Sequence, residues 1–214
     1  QVAAALSGIV HTAGMLDDAM LELQDSQRMC NVWGAKVCGA WSVLSASDAM
    51  CYGLRQTALF ASVTGLLGSA GQSNYAAANS CLDVLGQWRS KAGYCAVSVQ
   101  WGAWASAGMA VESGVLSSVA AQGMRGISEP EGLQALRLVL DIGSAPTASM
   151  LPIQWLKLVG PGAAAHVFLG AVTNGAEGED DCNETAETAF VGSMVGLGAQ
   201  MRLAHIESMV ASTV

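Results

Sequence analysis

Basic residues are scarce in this 214-residue chain. Nine Lys and Arg stand against seventeen Asp and Glu, for a formal net charge of −8. That balance excludes a nucleic-acid phosphate track or an anionic membrane surface as a partner. Long apolar runs are missing too: Gly, Ser and charges interrupt every stretch before eighteen residues are reached, so no membrane span is expected despite a mean hydropathy of +0.40. The six cysteines, at 30, 38, 51, 81, 95 and 182, form no C-x-x-C pair and no Cys/His cluster. A structural zinc or other metal site is therefore not expected, and a reducing, cytoplasmic setting is. The N-terminus has neither a basic n-region nor a Met, so it is not expected to be a signal peptide and reads as a cut point. No internal repeat is visible. What the chain does have is apolar residues, 52% of the total, enough to build a core and to exclude disorder throughout.

Helical stretches alternate with short apolar runs. Residues 7–12 are a candidate strand closed by Ala13-Gly14, and residues 25–47 read as a long helix with an acidic start, weakened at Gly34 and Gly39. A second strand at 57–63 is followed by Thr64-Gly65 and a glycine-rich loop through Gly71. Residues 73–91 form the next helix, with Ser73 as N-cap and Gly93 as its stop. A third strand is predicted at 94–101. Ser128-Glu129-Pro130-Glu131 opens a helix to about 142 through a capping box, and a last strand is expected at 148–155. The alternation predicts an α/β fold with a parallel sheet covered on both faces. Residues 1–160 thus form one unit. Residues 161–196 read as an acidic linker, with six acids and no base between 175 and 187. Residues 197–214 turn helical again, with Leu203, Ile206 and Val210 at helical spacing.

The chemistry is concentrated in Tyr75-Ala76-Ala77-Ala78-Asn79, with Ser62 thirteen residues earlier and Lys36 farther upstream. A phenol that protonates a carbonyl needs a hydroxyl to orient the carbonyl, a cation to lower its pKa and a polar relay behind it. Ser62, Lys36 and Asn79 are the right types for these tasks, and Tyr75 and Asn79 share one helix face. Each residue alone has a plainer reading: a strand-end serine, a solvated helix lysine, a tyrosine and an asparagine divided between surface and core. Their joint spacing within a βαβ pattern is what makes them a candidate hydride-transfer site. Trp101 and Trp104 are expected to pack, and His11 and His166 to be structural.

Several motifs follow in order: His11-Thr12-Ala13-Gly14, Leu16-Asp17-Asp18, Lys36-Val37-Cys38-Gly39-Ala40-Trp41, Gly68-Ser69-Ala70-Gly71-Gln72-Ser73-Asn74-Tyr75-Ala76-Ala77-Ala78-Asn79, Trp101-Gly102-Ala103-Trp104 and Gly108-Met109-Ala110. Over residues 7–157 the series resembles the ketoreductase domain of modular type I polyketide synthases, within the short-chain dehydrogenase/reductase superfamily. Ordinary members carry Lys four residues after the tyrosine. Here Asn79 holds that place and Lys36 lies in the earlier helix, an exchange that resembles the polyketide-synthase branch. The resemblance implies a Rossmann-like doubly wound sheet and NADPH-dependent reduction of a β-ketoacyl thioester to the β-hydroxyacyl thioester, in polyketide or related fatty-acid elongation. It also implies partners: an acyl carrier protein bearing the substrate on phosphopantetheine, and the other domains of the synthase.

Residue by residue, the resemblance makes Tyr75 the proton donor and Ser62 the hydroxyl that holds the carbonyl oxygen. Lys36 binds the nicotinamide ribose and favours tyrosinate character, and Asn79 supports the relay. Ala13-Gly14 lie beside the adenosine side of the cofactor, and Gly102-Ala103 approach the nicotinamide, although the family often has Pro at position 103. Residues 105–124 form the substrate lid, with Met109 in it. Leu16-Asp17-Asp18 resembles the signature of B-type domains, and Leu67 stands where A-type domains have Trp. With Gln72 and Met109 these residues guide the substrate, and the implied product is the D-alcohol. Ala77, where one subtype has Pro, marks no preference for an epimerised α-methyl.

The resemblance begins at the fourth strand of the family's sheet. The first three strands and the glycine-rich pyrophosphate loop are thus expected to be missing, and this piece alone to bind NADPH poorly, to aggregate and to have little activity. Gly160-Pro161-Gly162-Ala163-Ala164-Ala165 mimics that loop, with Asp180 beyond it, but Pro161 lacks the N–H that a phosphate needs; a domain-end turn is the better reading. The last helix fits either the start of an acyl-carrier domain, without an Asp-Ser-Leu attachment motif, or a linker helix. Two other functions stay open: a non-catalytic structural domain of a megasynthase, which has no need of the four-residue set, and a free-standing dehydrogenase, which Lys at position 79 would have favoured.

Overall fold

The computed structural model describes residues 6–106, 120–121, 123–142, 145–154 and 191–192. Four strands, β1 (Gly8–His11), β2 (Gln56–Ser62), β3 (Ala96–Trp101) and β4 (Thr147–Met150), lie side by side in chain order, each parallel to the next. The two-residue β5 (Val191–Gly192) adds antiparallel to β4. Parallel neighbours need crossovers, and helices supply them. Between β1 and β2 run α1 (Ser26–Trp33), a π-helical segment (Gly34–Cys38) and α2 (Gly39–Ala49). Between β2 and β3 run the one-turn α3 (Thr64–Leu67) and α4 (Ser73–Lys91), and α5 (Glu129–Ile142) precedes β4.

Helix boundaries follow local chemistry. Asp25 caps α1 by accepting from the Arg28 N–H at 2.8 Å. Ser73 is the first helical residue of α4 and not its cap; Gln72 holds the cap position without a side-chain capping bond. The expected loop after β2 begins with a helical turn, α3, and only then reaches Gly68. One half of the capping box at α5 is formed, the Glu131 carboxylate accepting from the Ser128 N–H at 2.8 Å; the Ser128 hydroxyl donates to the same carboxylate at 2.7 Å. The last parallel strand is shorter than expected and stops at Met150, whose carbonyl accepts from the Gly102 N–H. Trp155 and residues 155–190 and 193–214, with most of the acidic stretch and the terminal helix, lie outside the described residues, as do His166 and the Gly160–Ala165 turn.

Strand alternation sorts the core into two faces. On one, Ala58, Val97, Val99, Trp101, Ala148 and Met150 pack under Ala135 and Val139 of α5. On the other, Leu59 and Ala61 pack against Ala40 and Leu44 of α2 and Leu82 and Leu85 of α4. Full burial of Leu59 and Leu82 stabilises by about 2 kcal/mol each. Helix α4 lies unusually close to β3 because Gly86 faces it: a Cβ there would stand 3.0 Å from the Ser98 N and 3.0 Å from the Pro146 O. Among the described residues no helix is long and apolar enough to cross a membrane.

Candidate active site

The site lies at the carboxyl ends of β1, β2 and β3, where open α/β sheets bind ligands. Lys36 enters it from the π-helical segment. A π turn places one extra residue in the helix and is common at functional sites; here it carries Lys36 into the protein, where 2% of the residue is exposed. The solvated-lysine reading is therefore excluded. His11, at the end of β1, anchors the segment by donating its Nε2–H to the Lys36 carbonyl at 3.0 Å. Burial pushes the His11 pKa down, which keeps the ring neutral for that structural task. The Lys36 Nζ donates to the Phe60 carbonyl at 3.0 Å and lies over the Tyr75 ring, 5.1 Å from its centroid. Burial lowers its pKa from 10.5 to about 8, while the Asp83 carboxylate pulls it up.

Tyr75 lies in the first turn of α4, packed with Val32 and Ala78 and, at the edge, with Leu16, Trp33 and Val37. Burial raises the pKa of its phenol, and the polar side chains of Asn79 and Ser62 act in the opposite direction. Asn79 is wholly buried one turn later. Its Nδ2 donates to the Tyr75 carbonyl at 2.8 Å, and its Oδ1 has no protein partner. Ser62 ends β2, in register with Trp101, and its hydroxyl accepts from the Thr64 N–H at 3.2 Å. The structure thus gathers Tyr75, Lys36, Asn79 and Ser62 from three separate elements.

The loop after β1 is tied to the same place. Asp17 pairs with the Arg28 guanidinium and accepts from Asn31 Nδ2 at 2.8 Å, while its carbonyl accepts from Asn74 Nδ2 at 2.8 Å. Asp18 accepts from Gln72 Nε2 at 2.8 Å, and the Ala19 N–H bonds the Gly71 carbonyl. Leu16 therefore packs beside Tyr75, Asp17 faces inward as an anchor, and Asp18 and Gln72 close the lip of α4. Leu67 is half-buried in α3. Ala13 and Gly14 lie exposed beyond β1. Two backbone groups at Gly102-Ala103 are already engaged: the Gly102 N–H bonds the Met150 carbonyl, and the Ala103 carbonyl accepts from the Ile127 N–H. Trp101 and Trp104 pack with ring centroids 5.0 Å apart and planes tilted by 49° on the α5 face, as expected. Met109, with residues 107–119, lies outside the described residues.

Asp83 is the residue that motif reading missed. It lies two turns beyond Tyr75 on the same face of α4, accepting from the Ser98 hydroxyl at 2.6 Å and from Gln100 Nε2 at 2.7 Å. Gln100 Oε1 in turn accepts from the Ser149 hydroxyl at 2.5 Å. The signal was present: Tyr75, Asn79 and Asp83 step by four, and Ser98 and Gln100 break an otherwise apolar strand.

The residues present fit a polyhydroxylated cofactor. One Lys36 N–H is engaged by Phe60, an ammonium carries three, and the orphaned Asn79 Oδ1 invites a water or a hydroxyl. A parallel sheet with this tyrosine–lysine pairing at its carboxyl end defines a Rossmann-like protein of the short-chain dehydrogenase/reductase type. Residues 1–106 match the family model described as KR domain. The spectinabilin polyketide synthase system protein NorB of Streptomyces orinoci is 38% identical over 153 residues, 70% of this chain and 7% of that protein. The first ketoreductase of the tylosin polyketide synthase shares 36% identity over 74% of this chain and 34% of its own, with a TM-score of 0.63. An A1-type ketoreductase shares 28% over 78% and 36% respectively, with a TM-score of 0.70. The chain belongs to the ketoreductase domains of modular polyketide synthases. It spans 7% of the length of NorB and about a third of these solved ketoreductases.

Proposed function

We propose that this chain carries the catalytic residues of an NADPH-dependent β-ketoacyl reductase that acts on a thioester held by an acyl carrier protein, within a synthase whose other domains extend and pass on the chain. The observation that carries the reading is the buried Lys36 ammonium over the Tyr75 ring, with Asn79 in the place that lysine holds in ordinary members. NADPH, when bound, supplies the hydride that adds to the β-carbon. Tyr75 gives its phenolic proton to the carbonyl oxygen, which turns the ketone into the alcohol. Ser62 Oγ donates a hydrogen bond to that oxygen and fixes its direction toward Tyr75. Lys36 binds the nicotinamide-ribose hydroxyls, and its charge lowers the cost of the phenolate left behind. Asn79 Oδ1 holds the water through which the phenolate regains a proton. Ala13-Gly14 and Gly102-Ala103 contribute backbone to the adenosine and nicotinamide sides.

The anchored Leu16-Asp17-Asp18 loop, with Leu67, Gln72 and Met109, guides entry so that the D-alcohol forms, a B-type outcome. The test is NADPH oxidation by the full polypeptide with a β-ketoacyl N-acetylcysteamine thioester, for wild type and Tyr75→Phe. We expect at least about a hundredfold loss of turnover with NADPH binding retained, and the D product by chiral analysis. Folded wild type that binds NADPH and turns over no thioester or carrier-bound substrate would leave a structural domain as the function.

A further inference from the structure

Three charged side chains are buried among the described residues: Lys36, Asp83 and Arg89. Arg89 is matched by a two-pronged bond to Asp48, at 2.8 and 3.0 Å. Lys36 and Asp83 each make hydrogen bonds only to neutral groups. A buried charge without a counter-charge costs several kcal/mol, so two of opposite sign within one core are expected to serve each other.

The hydrogen bonds around Asp83 have one direction. Ser149 donates to Gln100, and Gln100 and Ser98 both donate to Asp83, one to each carboxylate oxygen. Donors at both oxygens stabilise the ionised carboxylate, against burial, which raises the Asp83 pKa. The strand supports this at a cost, since Ser98 and Gln100 occupy positions where an apolar pair would pack against α4. Asp83 is also fixed relative to the reacting phenol, because Tyr75, Asn79 and Asp83 belong to one rigid helix face and Asn79 bonds back to the Tyr75 carbonyl.

We propose that Asp83 is the positioning residue of this site: its carboxylate, clamped by Ser98 and Gln100, is the fixed counter-charge that keeps Lys36 an ammonium beneath Tyr75. The inference rests on the reductase reading. Other titratable groups face the same space. His11 of β1 is neutral and bonded to the Lys36 carbonyl, Tyr75 of α4 is a neutral phenol, and Asp18 acts on Tyr75 from the loop after β1. Lys36 is bonded to the carbonyl of Phe60, which pairs with Val99 between the two residues that clamp Asp83. Burial lowers the Lys36 pKa and the Asp83 charge raises it, while burial raises the Asp83 pKa against the bonds from Ser98 and Gln100 and, last, the charge of Lys36.

The test uses the full polypeptide. The midpoint for competitive acylation of Lys36, followed by mass spectrometry from pH 6 to 10, reports the lysine without reference to turnover. Asp83→Asn is expected to move that midpoint down by about one pH unit, and to move the alkaline limb of kcat/KM with it. Asp83→Glu, which keeps the charge, is expected to restore both in part. A carboxylate that merely plugs the gap between α4 and β3 would lower stability and leave both midpoints in place, and that result overturns the proposal. If Asp83→Asn does not fold, adding Lys36→Met removes the stranded partner and is expected to restore folding. A double variant no better than the single one overturns it too. Tyr75→Phe is run in parallel: if it retains turnover, the reductase reading fails whatever Asp83 does. If it loses turnover and the Lys36 midpoint ignores Asp83, only this inference fails.

Discussion

Replacing Lys36 by Met tests how far the fold has been compromised for chemistry. Burial lowers the lysine pKa from 10.5 to about 8, so keeping it charged at neutral pH costs the fold about 3 kcal/mol. Between pH 8 and 10.5 the unfolded chain binds the proton that the folded chain has released. This term therefore makes wild type more stable as pH rises through that window, and it is constant below it. Methionine has a stem of similar length and no charge, so the slope vanishes. The offset at pH 7 is smaller than the full 3 kcal/mol, because the Phe60 carbonyl loses a bond worth about 1 kcal/mol and Asp83 loses its counter-charge. The slope is the better observable. Denaturant melts of the complete ketoreductase domain, wild type and Lys36→Met, are expected to differ by an amount that changes by about 3 kcal/mol between pH 7.5 and 10.5. Ionisation of other tyrosines and cysteines is common to both proteins and cancels. Parallel curves would show that the lysine is not desolvated in the folded protein, and the account of its tuned charge would be wrong. Turnover is expected to be lost throughout.

Two further substitutions probe the surroundings of the site. Gly132→Ala in α5 puts a Cβ 2.2 Å from Cη2 and 2.4 Å from Cζ3 of Trp104, whose ring is backed by Trp101; a loss of about 1–3 kcal/mol in melts is expected, and unchanged stability would mean that the Trp104 ring gives way freely. Arg28→Ala removes the partner of Asp17 and the bond to the Asp18 carbonyl. The ion pair is half-exposed and worth at most about 1 kcal/mol, so stability should barely move while the minor alcohol appears in chiral analysis; an unaltered product ratio would separate the loop from stereocontrol.

Periodicity made the sheet and α4 legible: β2, β3 and residues 73–91 lie where apolar spacing put them, because burial on two faces leaves little latitude in a parallel strand. The tyrosine, serine and asparagine were legible for the same reason, since a helix step and a strand end fix them. Lys36 was legible in identity and not in setting. Gly34 and Gly39 read as weak points of a helix, whereas they bracket the π segment that buries the lysine, and register shifts of one residue leave no trace in hydrophobic pattern. Cap residues were ambiguous because Gln72, Ser73 and Asn74 are all polar; the start of α4 was settled by Asn74, whose Oδ1 accepts from the Tyr75 N–H while its Nδ2 reaches the Asp17 carbonyl. Asp83 escaped because an acid within a helix usually faces solvent, and its partners lie fifteen and seventeen residues away on a strand.

The two faces of the sheet carry different obligations. Val97, Val99 and Trp101 of β3 and Ala148 and Met150 of β4 give α5 an unbroken apolar bed, while the alternate residues Ser98, Gln100 and Ser149 give α4 a polar one. Apolar packing is non-directional and tolerates small slides of a helix along a sheet. Hydrogen bonds to a carboxylate do not: Asp83 locks the axial position of α4, and Gly86 lets the helix descend far enough for those bonds to close. Tyr75, two turns up the same helix, is thereby held at a fixed height above the end of β2, where Ser62 waits. Proton transfer to a carbonyl that Ser62 positions is sensitive to errors of about 1 Å. A polar seam below the site is thus the device that an apolar core of equal stability would not provide.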